Sequence, residues 1–149
     1  MATSITAEKQ ISAPPERVFE LASNFATMSE RIPGIKRVEM LTNGPVGVGT
    51  KFKETRVMFG KEATETMEVT AFDPPRSYSI GCNSCGCVYD SKLDFIPSAG
   101  GTMMTMTMSV TAVSFFAKLM SPLSKLMMGM MRKCFEGDLE AIRKAAEAL

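Results

Sequence analysis

The chain has 149 residues, a formal net charge of +1 and a hydrophobic content of 45%, which is ample for a single folded domain spanning residues 1–149. The near-neutral charge gives no electrostatic case for binding nucleic acid or an anionic membrane. No histidine occurs in the sequence, which excludes histidine-based catalytic triads, histidine general bases and zinc sites that need imidazole.

The N-terminal part of the chain predicts one strand followed by two short helices. Loose alternation of apolar residues indicates a strand over residues 4–12. Pro14 and Pro15 punctuate the chain, and apolar residues at helical spacing then predict short helices over residues 17–23 and 25–31. Pro33 and Gly34 end the second helix.

The middle of the chain predicts six further strands separated by turns rich in Gly, Pro and Asn. These strands cover residues 35–41, 51–59, 62–72, 76–82, 87–96 and 102–113. Because the connections are short, consecutive strands are expected to pair as an antiparallel meander.

The C-terminal residues 122–149 predict one long helix, with Ser121 as N-cap and Pro122 in the first turn. At 100° per residue, the middle of its apolar face comprises Leu123, Met127, Met130, Cys134, Ala141 and Ala145. The face is widened on one side by Met131, Phe135, Ile142 and Leu149. A long amphipathic helix covering one face of a sheet gives an α+β domain.

Asp138 falls inside this apolar sector. A buried carboxylate needs a partner or a raised pKa. Two interpretations stay open: the side chain is paired or partly exposed at the edge of the sector, or it faces a functional cavity.

The last strand alternates methionine with hydroxyl-bearing residues. Met104, Met106 and Met108 share one face with Val110, so they are expected to meet Met127 and Met130 on the long helix; the complete set is Met104, Met106, Met108, Met127 and Met130. Such a patch forms either a solid core or the lining of a deformable cavity, since methionine suits irregular apolar surfaces.

The chain resembles the polyketide cyclase/dehydrase and lipid-transport family. The resemblance is carried by ISAPPERVF at residues 11–19, VGTKF at residues 48–52 and EVTAFDPPR at residues 68–76, and the order of elements agrees over the whole chain. This family belongs to the helix-grip superfamily that also contains START domains and birch pollen allergen. The resemblance implies a curved seven-stranded antiparallel sheet wrapped on the long C-terminal helix, with a cavity between them.

The cavity's entrance is implied to lie near the loops and the two short helices after strand 1. The superfamily contains carriers, cyclases, receptors and chaperone-associated modules, so its fold does not fix a function. No catalytic motif is shared across the family, and none is carried over to this chain.

Strand parity predicts which side chains face the cavity. Phe52, Glu54, Arg56 and Met58 alternate along one strand and share one face. Because Phe52 and Met58 are apolar, this face is expected to point inward, together with Glu54 and Arg56. Glu54 and Arg56 either form an ion pair at the sheet edge, or Arg56 binds a polar head group such as a carboxylate or an enolate oxygen. Further inward candidates are Met67, Val69, Tyr78, Ile80, Tyr89, Leu93 and Phe95.

Tyr78 or Tyr89 could donate a hydrogen bond to a ligand, although in a core a tyrosine usually reaches a backbone carbonyl. The complete predicted ligand-binding set is Phe52, Glu54, Arg56, Met67, Tyr78, Tyr89, Met104, Met106, Met108, Met127, Met130, Cys134 and Asp138.

The cysteines favour neither a metal site nor a disulfide. Cys82, Cys85 and Cys87 form one cluster and Cys134 is distant, whereas structural zinc sites use two separated pairs. Residues 1–13 lack a signal-peptide pattern, and no apolar span reaches about 18 uncharged residues. We therefore expect a cytoplasmic protein with reduced thiols, no membrane insertion, no metal and no cofactor.

Three functions are compatible with these features. The leading hypothesis is a non-enzymatic binder or carrier of a hydrophobic small molecule such as a lipid, quinone or polyketide. The second is a polyketide cyclase or dehydratase-like enzyme, which a buried, convergent cluster of Glu54, Arg56 and Asp138 in an open cavity would favour. The third is a protein-interaction module or homodimer, which a collapsed cavity and an exposed helix face would favour.

Overall fold

The computed structural model describes residues 2–58, 60–84, 87–112 and 121–148. Its elements are β1 (Ala2–Ile11), α1 (Pro15–Ser23), a 3₁₀ helix (Phe25–Glu30), β2 (Ile35–Met40), β3 (Lys51–Met58), β4 (Lys61–Asp73), β5 (Ser77–Ser84), β6 (Cys87–Ser98), β7 (Gly101–Ala112) and α2 (Ser121–Glu147). This order confirms the predicted sequence of one strand, two short helices, six strands and a long helix.

The described strands form one antiparallel sheet of seven, in the order β1-β7-β6-β5-β4-β3-β2. Strands β2 to β7 follow one another as the predicted meander, and β1 lies beside β7 with Ile5 opposite Met108. The register shifts between Ile35 and Arg37 and between Val69 and Ala71. Such irregularities bend strands and increase their twist, which helps the sheet to curve around α2.

Helix α2 packs on β1 and α1. Its buried stripe consists of Phe135, Leu139, Ile142 and Ala146, which follow one another at helical spacing. The prediction that Met130 lies in the middle of the apolar face was wrong, because Met130 is 44% exposed. The buried face is displaced by about one residue, toward the larger Phe135 and Leu139.

Charged residues fix the C-terminal half of α2 to β1. Lys9 Nζ lies 3.1 Å from Glu140 Oε2, and Arg143 contacts both Glu140 and Glu147. The backbone N–H of Ser12 donates to Glu147 Oε2 at 2.8 Å. Hydrogen bonds from Arg143 and Lys9 lower the pKa of Glu140 to about 2, so Glu140 stays ionised at neutral pH.

An aromatic cluster fills the interior beside the short helices. The Phe25 and Phe52 rings stack at 4.6 Å between centroids, and the edge of Phe19 packs on Tyr78 and Phe95. All five side chains are buried. The aromatic rings therefore fill the space between the short helices and the sheet.

Within the described part of the chain, no helix is both long enough and apolar enough to span a membrane.

Candidate ligand-binding cavity

A cavity of about 280 Å³ lies between the sheet and α2. Its walls come from the inward faces of β3 to β7, from one side of α2 and from the short-helix region. Most of the lining is apolar, including Phe52, Met67, Ile80, Leu93, Met106, Met108, Met131, Phe135, Leu139 and Ile142. Ala22, Met28 and Ile32 line it from the short-helix side.

Most of the predicted ligand-binding residues meet at this cavity. The lining includes Phe52, Glu54, Arg56, Met67, Tyr78, Tyr89, Met106, Met108 and Asp138. They come from five strands and α2, so it is the antiparallel pairing and the crossing of α2 that bring them together.

Three of the predicted residues whose side chains are described do not line the cavity. Met104 shares the inward face of β7, but it is fully buried in the core opposite Phe95. Met130 is exposed, and Cys134 is half-buried beside the stripe that faces inward; both follow from the displaced helix face. The side chain of Met127 lies outside the described residues.

Three residues that were not predicted also line the cavity: Glu65, Cys82 and Ser91. The signal for Glu65 was present, because it shares strand parity with Met67, which was predicted to point inward. Likewise, Cys82 is two residues beyond Ile80, and Ser91 lies between the inward-facing Tyr89 and Leu93. Met28 in the 3₁₀ helix and Ile32 just after it also line the cavity. No local sequence pattern predicts that these two side chains reach it.

The polar part of the cavity is an ion-pair cluster centred on Arg56. Its Nη1 donates to Asp138 Oδ1 at 3.1 Å and its Nη2 lies 2.9 Å from Asp138 Oδ2. The Nε of Arg56 lies 3.6 Å from Glu54 Oε2. The side chains of Glu54, Arg56 and Asp138 are only 12%, 14% and 14% exposed, so the pairing is largely removed from water.

Burial controls the protonation of this cluster. Burial raises the pKa of Glu54 and of Asp138, although the nearby Arg56 charge opposes the shift in both. For Arg56, burial lowers the pKa, but the charges of Asp138 and Glu54 outweigh it and the pKa is raised. Arg56 is therefore a permanent cation, and the two carboxyl groups can gain a proton more readily than exposed carboxyls.

Glu54 also faces another carboxyl group, that of Glu65 on the neighbouring strand. Glu54 on β3 is directly opposite Glu65 on β4. The thiol of Cys82 donates to Glu65 Oε2 at 3.9 Å. Burial raises the pKa of Cys82 to about 11, and the charges of Glu65 and Glu54 add to the shift. The Cys82 thiol therefore stays protonated at neutral pH and acts as a weak donor.

Tyr78 contributes its ring to the lining, but its hydroxyl is engaged elsewhere. The hydroxyl donates to the backbone carbonyl of Ala22 at 3.2 Å. Burial raises the pKa of Tyr78 far above its usual value. The Tyr78 hydroxyl therefore bonds a backbone carbonyl, as tyrosines in a core usually do, rather than pointing to a ligand.

The site can offer carboxyl groups as proton donors or acceptors and a fixed cation beside an apolar chamber. Among the described residues, no group of three or more cysteine, aspartate or glutamate side chains is arranged to hold a metal ion.

A curved antiparallel sheet closed over a long C-terminal helix, with a cavity between them, defines a helix-grip protein. The chain belongs to the polyketide cyclase / dehydrase and lipid transport family, whose sequence model matches residues 2–147. No curated protein sequence matches the chain significantly.

Several solved structures share the fold. TTHA0849 from Thermus thermophilus is 22% identical with a TM-score of 0.80, and the match covers 98% of each chain. The Zhui aromatase/cyclase from Streptomyces sp. R1128 is 14% identical with a TM-score of 0.84, covering 99% of this chain and 94% of that one. Norcoclaurine synthase from Thalictrum flavum is 16% identical with a TM-score of 0.72, covering 99% and 88%. At these identities the likeness establishes the fold alone.

Proposed function

We propose that this protein binds a hydrophobic small molecule, of the lipid, quinone or polyketide kind, in the cavity between the sheet and α2. The observation that carries the proposal is the apolar chamber itself, which holds one compact polar cluster at Arg56. Ligand sites are typically concave and mostly apolar, with a few polar groups that fix orientation. Membership of a family described by cyclisation, dehydration and lipid transport supports the same class of ligand.

The size of the chamber favours a compact ligand. An apolar cavity of about 150 Å³ accommodates one benzene molecule. The chamber here measures about 280 Å³, which suits a ligand portion of one to two rings. Methionines in the wall, among them Met67, Met106 and Met131, can adapt to ligands of different shape because their side chains are flexible.

A second function, a polyketide cyclase or dehydratase-like enzyme, is favoured by the ion-pair cluster. Glu54, Arg56 and Asp138 converge on the chamber from β3 and α2. Carboxyl groups with raised pKa values beside a fixed cation are suited to general acid–base work on a bound carbonyl compound. An aromatase/cyclase is among the proteins that share the fold. A collapsed cavity would have favoured the interaction-module hypothesis; the chamber is open, and we do not propose that function.

Binding is tested by filling the chamber. N-phenyl-1-naphthylamine, an environment-sensitive apolar dye, is titrated into the protein and its fluorescence followed. The variant Met106→Trp places a large ring in the chamber, and its matched control, Thr107→Trp, adds the same ring to the opposite face of β7. We expect saturable binding in wild type and in the control, and at least a tenfold weaker affinity in Met106→Trp. Equal affinity in all three proteins would refute binding in this chamber.

Catalysis is tested separately. A synthetic poly-β-keto thioester is incubated with wild type and with Asp138→Asn, and aromatic product is followed by absorbance and mass spectrometry. An enzyme gives turnover that Asp138→Asn reduces while dye binding persists. A binder or carrier gives no product above the uncatalysed background, whichever residue is changed. Native mass spectrometry of the same samples reports co-purified ligand and whether the protein is a homodimer.

The proposal includes a cytoplasmic location. Cys82, Cys87 and Cys134 are free thiols among the described residues, as is usual in a reducing compartment. Cell fractionation with thiol labelling tests it, and recovery of the protein from an oxidising compartment would contradict it.

A further inference from the structure

The positive charge of the chain is unevenly distributed. No aspartate or glutamate occurs between Asp94 and Glu136. The cations of this stretch are Lys118, Lys125, Arg132 and Lys133. Exposed charges act over a Debye length, about 8 Å at physiological ionic strength, so a charged surface responds to local charge and not to the net charge of the chain. The net charge of +1 therefore conceals a segment that an anionic surface would attract.

The cations in the first half of α2 are available to a partner. Arg132 and Lys133 are exposed, and no ion pair among the described residues involves either of them. In the second half of the helix, by contrast, Arg143 contacts both Glu140 and Glu147. The first half contains no acidic residue, so its positive charge is not compensated within the helix.

Apolar side chains accompany these cations. Met130 is 44% exposed, and residues 121–133 read SPLSKLMMGMMRK, in which lysine and arginine are interspersed with leucine and methionine. Helices that lie on bilayer surfaces combine Lys and Arg with apolar side chains that enter the boundary between head groups and acyl chains. An acidic protein or a nucleic acid would match the cations but would offer Met130 no apolar environment. The combination therefore favours a bilayer with anionic head groups.

This exposed surface adjoins the chamber. Met131 lines the chamber, whereas its neighbours in the chain, Met130 and Arg132, are exposed. The same turn of α2 is therefore chamber wall on one side and protein surface on the other. Because apolar molecules leave water for an apolar environment, a lipophilic ligand is concentrated in bilayers. A bilayer contact at this turn would bring the chamber to that source.

We propose that the surface formed by Met130, Arg132 and Lys133 docks on bilayers that contain anionic phospholipids. The contact is peripheral, with the first half of α2 lying along the head groups and Met130 entering the boundary with the acyl chains. This inference goes beyond the proposed function, because the docking surface is distinct from the chamber interior and acts whichever ligand the chamber holds.

The test is co-sedimentation of the full chain with vesicles of phosphatidylcholine alone and of phosphatidylcholine mixed equally with phosphatidylglycerol. We expect binding to the mixed vesicles at low ionic strength and at least about tenfold weaker binding to the neutral vesicles, since each Lys or Arg near an anionic surface contributes about fivefold in affinity. Added salt should weaken binding to the mixed vesicles, because salt screens exposed charges.

Two matched double variants assign the binding to α2. Arg132→Gln combined with Lys133→Gln should bind mixed vesicles about thirtyfold more weakly, about fivefold for each cation lost. Arg37→Gln combined with Lys53→Gln removes the same charge from exposed positions on β2 and β3 and should bind as wild type does. Circular dichroism and urea denaturation establish that both variants are folded.

A third variant separates docking from ligand binding. Met106→Trp fills the chamber but leaves the surface of α2 unchanged, so it should bind mixed vesicles as wild type does. Vesicle binding without dye binding in the wild type would contradict the proposed function and leave the docking surface standing. Dye binding without vesicle binding would contradict the docking surface alone.

The remaining outcomes overturn the inference in different ways. Equal binding to neutral and mixed vesicles would refute recognition of anionic head groups. Equal losses in the two double variants would assign the attraction to net charge and not to α2. Sedimentation in the absence of vesicles, abolished by the Arg132 and Lys133 substitutions, would identify a second copy of the chain as the occupant of this surface.

Discussion

Arg56 on β3 and Asp138 on α2 form a two-point ion pair that joins the sheet to the long helix. The two contacts, of 3.1 Å from Nη1 to Oδ1 and 2.9 Å from Nη2 to Oδ2, have the bidentate arrangement that suits guanidinium and carboxylate groups. Both side chains also line the cavity. The same contact therefore supports the packing of α2 and fixes the electrostatic character of the chamber.

Arg56→Met should destabilise the protein by about 3–5 kcal/mol at neutral pH. The substitution leaves Glu54 and Asp138 largely buried without their cation. Either the two carboxylates stay ionised and destabilise the folded protein, or they take up protons. The free energy of unfolding is measured by urea denaturation. The control is Arg37→Met, because Arg37 is exposed on β2 and its replacement should change stability by no more than about 0.5 kcal/mol. Equal effects of the two substitutions would show that the buried pair contributes little.

Glu54→Gln should make the protein more stable than wild type at alkaline pH, and this gain should disappear in acid. Burial raises the pKa of Glu54 above its reference value of 4.5, against the opposing effect of Arg56. The folded state then binds more protons than the unfolded state, so ionisation of Glu54 lowers stability as pH rises through the folded-state pKa. Glutamine cannot ionise and avoids this loss. Below the reference pKa of 4.5, both proteins are neutral at this position and the difference in stability should approach zero.

The measurement compares free energies of unfolding of both proteins between about pH 4 and pH 8, where effects of other groups cancel in the difference. Glu62→Gln provides a control of opposite sign. The hydrogen bond and charge of Lys36 lower the pKa of Glu62, so its contribution is present above the unfolded-state pKa and is lost as pH falls. A pH-independent difference for Glu54→Gln would contradict the role of burial.

Tyr78→Phe should lower the free energy of unfolding by about 1 kcal/mol without lowering the affinity for apolar ligands. The change removes the hydrogen bond from the Tyr78 hydroxyl to the carbonyl of Ala22, and an intramolecular hydrogen bond contributes about this much. The ring, which lines the chamber, is retained. Stability is measured by urea denaturation and binding by titration with 2-methoxynaphthalene. A tenfold loss of affinity at unchanged stability would instead assign the hydroxyl to the ligand.

The sequence predicted the fold because each element carries a local signal. Period-two alternation and turns rich in Gly, Pro and Asn identify the strands, and short connections imply antiparallel neighbours. The same parity predicted that Glu54 and Arg56 point inward, and helical spacing placed Asp138 in the apolar sector. Their meeting at one cavity follows from the packing of α2 against the curved sheet, for which the chain has no local signal.

Packing depth was not predictable from periodicity. Met104 and Met106 share one face of β7, yet Met104 is fully buried opposite Phe95 and Met106 lines the cavity opposite Leu93. The difference depends on which elements lie above each residue, and strand parity contains no such information. The buried face of α2 was predicted wrongly for a related reason. The apolar band is wide, so periodicity alone does not determine which of its residues pack into the core.

The position of that centre makes a contrasting pair of predictions on α2. Leu139→Ala should destabilise the protein by about 2–5 kcal/mol, because Leu139 is 1% exposed and its truncation leaves a cavity in the core. Met130→Ala should change stability by no more than about 0.5 kcal/mol, because Met130 is largely outside the packed interior. Both are measured by urea denaturation, with far-ultraviolet circular dichroism confirming that the helix content is kept. A larger loss for Met130→Ala than for Leu139→Ala would contradict the displaced face and restore the helix face expected from the sequence.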